Sequence, residues 1–218
     1  KSYEGTIHDN KSLFISVVNP ISLAVLQSPA EYNADIAVGE GQSLGTPMSN
    51  GGPYLGFMAA TAKMTRKLPG RIAGQTTDTD GKRGFVLTLQ AREQHIRREK
   101  ASSNICSNQA LNALTAAAYL GAMGEKGLRQ AALKSMENAY KLKEKLSGLA
   151  KVEVYQDEIF NEFVACIPCD NEKLNAKLKE HDILGGLYLG EGKYLFAATE
   201  LNSQSDIEEL AAIIKEVC

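Results

Sequence analysis

Apolar positions along this chain follow two different periods. In the first 60 residues they come as short runs without polar alternation: Leu13-Phe-Ile-Ser-Val-Val18, Asp35-Ile-Ala-Val38 and Tyr54 to Ala60. Runs of that kind predict strands covered on both faces, as in a parallel sheet. Between the first two, Leu23, Val25 and Leu26 followed by Ser28-Pro29 leave room only for a short helix or crossover, which fits a βαβ step. Phe85-Val-Leu-Thr-Leu89 predicts a further strand after the Asp80-Gly81 turn signal. From Asn104 the period becomes helical. Ile105, Leu111, Leu114, Ala118 and Leu120 place a long, mostly buried helix up to Met123, with Gly121 and Gly124 at its end. Leu128, Ala132, Met136, Ala139, Leu142 and Leu146 carry the same spacing on to a stop at Gly148. Beyond it, Lys151 to Tyr155 and Glu162 to Ile167 read as antiparallel strands. Asn171 to His181 reads as an amphipathic helix, Tyr194 to Ala198 as a strand and Ser205 to Val217 as a closing helix. The expected division is an α/β part over 1–124 and a small α+β domain over 125–218.

Between the second and third strands lies GEGQSLGTPMSNGGPYLG, residues 39–56. Its glycines and two prolines, set between apolar runs, describe a backbone held in special conformations rather than a flexible linker. A loop at strand ends is where open α/β sheets bind ligands. A tight structural crossover without a ligand is the plainer alternative.

Composition narrows the classes. The chain has 218 residues, 44% of them hydrophobic, enough for a real core. A formal net charge of −2 gives no general reason to expect nucleic acid or an acidic membrane as partner. No apolar run approaches the roughly 18 residues of a membrane span, and KSYEGTIHDN lacks a signal-peptide core, so a cytoplasmic protein is expected. That opening runs straight into a strand, which predicts a piece of a longer protein. Cys166-Ile-Pro-Cys169 has the spacing of a redox motif, but no thioredoxin-like strand and helix precede it. His8, His95 and His181 do not complete a metal set with the cysteines. Cys106, Cys166, Cys169 and Cys218 are therefore expected to be packing cysteines in a reducing compartment.

Positive charge is local. Arg92, His95, Arg97, Arg98 and Lys100 fall within nine positions and lead into Ser102-Ser103-Asn104. Hydroxyl and amide donors at a helix N-terminus beside arginines suit an anion or a carboxylate. A solvated helix start is the alternative.

The glycine loop, GRIAGQTTDTDGKRGFVLTLQAREQHIRREKASSNICSNQAL and the spacing between them closely resemble glycine dehydrogenase (decarboxylating), the glycine cleavage system P-protein, in subunit 1 of its two-subunit bacterial form. The resemblance covers nearly the whole chain. It implies part of the large domain of a fold-type I pyridoxal-phosphate (PLP) transferase, a truncated and mainly parallel sheet ending in a long helix (1–124). A small α+β C-terminal domain (125–218) follows. It implies an oxidoreductase of glycine catabolism that decarboxylates glycine through PLP and passes the aminomethyl group to the lipoyl arm of H-protein. It also implies a bacterial cytoplasmic heteromer with glycine dehydrogenase subunit 2.

Such chemistry needs a Schiff-base lysine and an acid at the pyridine nitrogen. The family's lysine stands five residues before Pro47, which here is Gln42; the aspartate lies 23 positions earlier, which here is Asn19. No catalytic residue is therefore expected in this chain, and PLP is expected to be anchored by the partner, leaving the isolated chain inactive. Lys63 and Lys67 follow the next strand and read as surface lysines. By likeness to cysteine desulfurases, Ser102, Ser103 and Asn104 are the implied cofactor contacts and Arg97, Arg98 and His95 the implied substrate contacts. The alternative is a purely structural or regulatory partner of a PLP enzyme. An independent PLP enzyme of desulfurase type is opposed by the missing lysine.

Overall fold

Ile15 pairs with Ile36 and Val17 with Val38, so β1 (Ile15–Val17) and β2 (Ile36–Glu40) run parallel in the first structural unit. The computed structural model describes residues 3–90, 93–101, 103–104, 109–155 and 158–218, in two compact units, 1–122 and 123–218. The third strand, β3 (Gly56–Ala60), pairs antiparallel with β2, from Ile36↔Ala60 to Glu40↔Gly56. The three-stranded sheet is thus mixed. The glycine loop leaves β2 and enters β3 at the same edge, and two adjacent strands joined at one edge must run in opposite directions.

Between β1 and β2, where a short helix or crossover was expected, the chain makes two single 3-10 turns, Ile21–Ala24 and Pro29–Tyr32. Ser28 and Glu31 close a capping box at the second, and Asn33 ends it with φ 57°. A short helix, α1 (Glu4–Asp9), precedes the sheet and is tied to it through His8, whose ring nitrogens meet Glu4 Oε1 and Asp35 Oδ2, each at 2.9 Å. Asp35 Oδ2 also accepts from the Phe14 backbone N–H at 2.9 Å, so one carboxylate gathers the starts of β1 and β2 and the end of α1. Leu13, Ile15, Val17 and Met58 remain exposed on this sheet.

Residues 71–90 form an antiparallel hairpin, β4 (Arg71–Thr77) and β5 (Arg83–Gln90). Asp78 organises its turn by accepting from the backbone N–H groups of Asp80 and Lys82 at 2.9 and 2.8 Å. β4 precedes the Asp80-Gly81 turn signal and has no apolar run of its own. Its residues are mostly polar, and the strand exists through its ladder with β5. A single helical turn, α2 (Gln94–Arg97), follows.

One long helix, α3 (Ala110–Ser147), crosses the boundary between the units and is interrupted at Gly124, whose φ of 58° and ψ of −175° are not helical. In the second unit, β6 (Glu153–Val154), β7 (Glu162–Cys166), β8 (Leu187–Gly190) and β9 (Lys193–Ala197) form an antiparallel sheet in the order β6-β7-β9-β8. Alternation along β7 and β9 sends Phe163, Ala165, Tyr194 and Phe196 inward. They meet Leu142 and Leu146 of α3, Leu174 and Leu178 of α4 (Asn171–Glu180), and Ile207 and Ile214 of α5 (Gln204–Val217). Each fully buried Leu, Ile or Phe contributes about 1.5–3 kcal/mol, so this cluster is the unit's main stabilising term. Asp170 accepts from the Lys173 N–H to cap α4, and Ser203 with Asp206 forms a capping box on α5.

The cysteines depart from expectation. Cys169 is joined to Cys218 in a disulfide, with Cα atoms 5.3 Å apart, while Cys166 is free. The partner of Cys169 lies 49 residues away, beyond what local spacing reveals. Cys106 lies outside the described residues. Among the described residues no helix is long and apolar enough to cross a membrane, and no cluster of His, Cys, Asp and Glu could hold a metal ion.

Candidate functional site

Parallel pairing of β1 and β2 brings the residues just past their C-terminal ends to one edge of the sheet. Asn19 follows β1 there, and Gln42 follows β2. Asn19 Oδ1 accepts from the Ile21 N–H at 2.9 Å, and its carbonyl oxygen accepts from the Ser22 hydroxyl at 2.7 Å, which makes Asn19 the start of the first 3-10 turn. Gln42 is half-buried, and its Nε2 donates to the Thr46 carbonyl at 2.6 Å. Both side chains thus serve the local backbone.

The loop that carries Gln42 is held at each end. Glu40 Oε1 accepts from the N–H groups of Gln42 and Leu55 at 2.9 and 2.7 Å, and the Gly41 N–H donates to the Leu55 carbonyl at 2.6 Å. Asn112, in the first turn of α3, donates to the carbonyls of Pro53 and Tyr54 at 2.6 and 3.1 Å. Two glycines are required by geometry. A Cβ on Gly39 would run into the Val18 carbonyl oxygen and the Phe57 ring, and Gly45 combines φ +84° with a Cβ position 2.9 Å from Tyr119. Thr46 Oγ1 is buried and finds no hydrogen-bond partner among the described residues. Sequence reading placed the loop but missed Glu40 and Asn112 as its braces. The one local signal for Glu40 was a carboxylate at the strand end beside a glycine.

The basic segment is a separate feature. His95, Arg97 and Arg98 are all exposed, on α2 and the 3-10 turn that follows it, and Arg98 has φ 55° and ψ −126°. Glu93, the residue preceding α2, is only 6% exposed and pairs with Arg71 of β4 at 3.2 Å, and among the described residues no ion pair joins it to Arg97 or Arg98. A hydrogen bond from its own backbone N–H and the Arg71 guanidinium hold its carboxyl below the usual range, against the opposing effect of burial. Ser103 and Asn104 are irregular and precede the described start of α3 at Ala110, so the expected helix N-terminus does not begin at Asn104 among the described residues. Ser102 lies outside the described residues, as does Arg92.

Against known proteins, the model of the glycine cleavage system P-protein family matches residues 1–214. The chain belongs to the glycine cleavage system P-protein family. It is 50% identical over 216 residues to the "Probable glycine dehydrogenase (decarboxylating) subunit 1" of Syntrophomonas wolfei subsp. wolfei, covering 99% of this chain and 49% of the relative. It is 51% identical over 212 residues to the protein of that name from Desulforamulus reducens, covering 94% and 48%. The chain spans about half the length of the curated relatives it matches. A crystal structure of glycine decarboxylase (P-protein) in inhibitor-bound form superposes with a TM-score of 0.90 at 46% identity, over 99% of this chain and 51% of that one. A cysteine desulfurase from Escherichia coli shares the fold alone, with a TM-score of 0.65 at 12% identity, over 97% of this chain and 53% of that one.

The architecture of this chain is therefore part of the fold-type I PLP-enzyme fold. Its strand-end residues do not fit the anchoring of PLP. Gln42 has no nucleophilic amine and is spent on the Thr46 carbonyl, and Asn19 supplies no negative charge for a pyridinium.

Proposed function

We propose that the chain is the half of a two-subunit glycine decarboxylase that completes the enzyme without anchoring PLP. The observation that carries this reading is the pair Asn19 and Gln42, at one sheet edge, each engaged by its own backbone. PLP, bound by glycine dehydrogenase subunit 2, supplies the electron sink for loss of CO2 from glycine. The lipoyl arm of H-protein then receives the aminomethyl group, and the assembly works in the bacterial cytoplasm. Residues 1–124 act as the C-terminal part of a PLP-transferase large domain and 125–218 as its small domain.

In this reading Arg97 and Arg98, exposed while Glu93 is drawn off by Arg71, reach a carboxylate or phosphate held by the partner. His95 lies on the same turn, and Ser102, Ser103 and Asn104 supply neutral donors. The competing reading is a structural partner with no group near the chemistry. It draws on the same satisfied Asn19 and Gln42. The two separate in the assembled enzyme. Arg97→Ala should weaken PLP or glycine binding about ten- to a hundred-fold, with the subunits still co-eluting. Unchanged binding and turnover in Arg97→Ala and Arg98→Ala would favour the structural partner.

A further inference from the structure

Three cysteines lie in the second unit, and the geometry sorts them. Phe163, Ala165 and Ile167 point from the β7 segment into the core, so Cys166 stands on the other face of the sheet. Its Sγ lies 3.9 Å from the Glu191 carbonyl oxygen. Cys169 is past the end of the strand and packs at the edge of the core cluster, next to the cap of α4. Cys218, exposed, follows the last turn of α5. The 5.3 Å between the Cα atoms of Cys169 and Cys218 lies within the span a disulfide bridges. The redox pair is therefore not the C-x-x-C that the sequence displays.

A cavity of about 470 Å³ lies beside this pair, between residues 148–152 and the last turn of α5. Cys218 is part of its lining, together with Lys151 and Lys215. An open cavity gives a small molecule a path to the Cys218 sulfur. Lys151 and Lys215 belong to the same lining, and their positive charge draws in a reagent that carries carboxylates.

We propose that Cys169 and Cys218 form a reversible thiol–disulfide site, entered through this cavity and selective for anionic low-molecular-weight disulfides. In the oxidising direction the Cys218 thiolate attacks one sulfur of a disulfide RS–SR, forming Cys218–S–SR and releasing RS⁻. The Cys169 thiolate then attacks the Cys218 sulfur, forming the Cys169–Cys218 bond and releasing the second RS⁻. The cysteine pair gives up two protons and two electrons, and the reagent is reduced to two thiols. A dithiol reductant runs the sequence backwards. Oxidation ties the end of α5 to the start of α4, and reduction releases it.

The test exposes the folded chain to buffers of graded glutathione and glutathione-disulfide ratio, followed by acid quench, alkylation and peptide mass analysis. A cross-linked peptide joining residues 169 and 218 is expected, with Cys166 alkylated throughout. Cys166→Ser should leave the cross-link intact, and Cys218→Ser should abolish it. The double variant Lys151→Gln, Lys215→Gln should slow oxidation by glutathione disulfide several-fold but leave the rate with uncharged hydroxyethyl disulfide unchanged. Amide exchange over residues 213–218 should speed up on reduction. A cross-link between 166 and 169, no cross-link at any ratio, or equal slowing with both disulfides would overturn the proposal.

Discussion

Gln42 Nε2 donates to the carbonyl oxygen of Thr46 at 2.6 Å, closing the first turn of the glycine loop. An amide cannot form a Schiff base, and this one is engaged. Incubation of the chain with PLP followed by borohydride should leave no stoichiometric label, as read by intact mass. Specific labelling of one lysine would contradict the placement of Gln42. Gln42→Ala should cost about 1 kcal/mol of stability, the net worth of one ordinary hydrogen bond, in a denaturant titration.

His8 gives stability a pH dependence with a definite sign. Hydrogen bonds to the carboxylates of Asp35 first and Glu4 second raise its pKa above the usual value near 6.5. Asp35 is held below its usual value, chiefly by the Phe14 N–H and then by His8, with Lys63 adding attraction. A raised histidine stabilises fully below its unfolded pKa and loses that contribution as pH rises through its folded pKa. A depressed aspartate loses its contribution as pH falls through its own folded pKa. The clamp should therefore work best from about pH 4 to about pH 6.5. The melting temperature of the wild-type chain should exceed that of His8→Gln by more at pH ~6 than at pH ~8.5. An equal gap at both would show that His8 acts by packing alone.

Gly39 has no room for a side chain. In Gly39→Ala the new methyl would meet a backbone oxygen, that of Val18, and the Phe57 ring at 2.5 Å. Relief requires β1 or β3 to move, so the expected cost is about 3 kcal/mol, the upper end of ordinary overpacking. Gly56→Ala, where a Cβ meets nothing within 4 Å, is the control and should be close to neutral. Equal losses in the two variants would refute the steric account.

In the second unit Asn138, 2% exposed, donates to the carbonyls of Thr199 and Asn202 at 2.8 and 2.7 Å, fixing the turn that launches α5. Asn138→Ala should cost roughly 2 kcal/mol, because it removes a donor from buried acceptors as well as volume. Thermal unfolding followed by circular dichroism reads this directly. A loss below about 0.5 kcal/mol would place those carbonyls in water.

Sequence by itself determined what depends on neighbours along the chain. Helical spacing from Leu128 to Leu146 placed the buried stripe of α3, and the stretches Asn171 to His181 and Ser205 to Val217 placed α4 and α5. Alternating Phe163 and Ala165 placed β7, and the run 39–56 placed the loop at strand ends. The family was legible too, because REQHIRREKASSNIC is long and unusual. Two strands escaped notice for one reason. β4 is mostly polar and β8 is four residues framed by glycines, so each is a strand only by its ladder to a partner. Only the tertiary structure decided the rest. The antiparallel return of β3, the placing of Asn19 and Gln42 past the same ends of paired strands, the ion pair of Glu93 with Arg71 and the joining of Cys169 to Cys218 all link residues distant in sequence. Such pairings are fixed by the burial and hydrogen bonding of whole elements, and no local period encodes them.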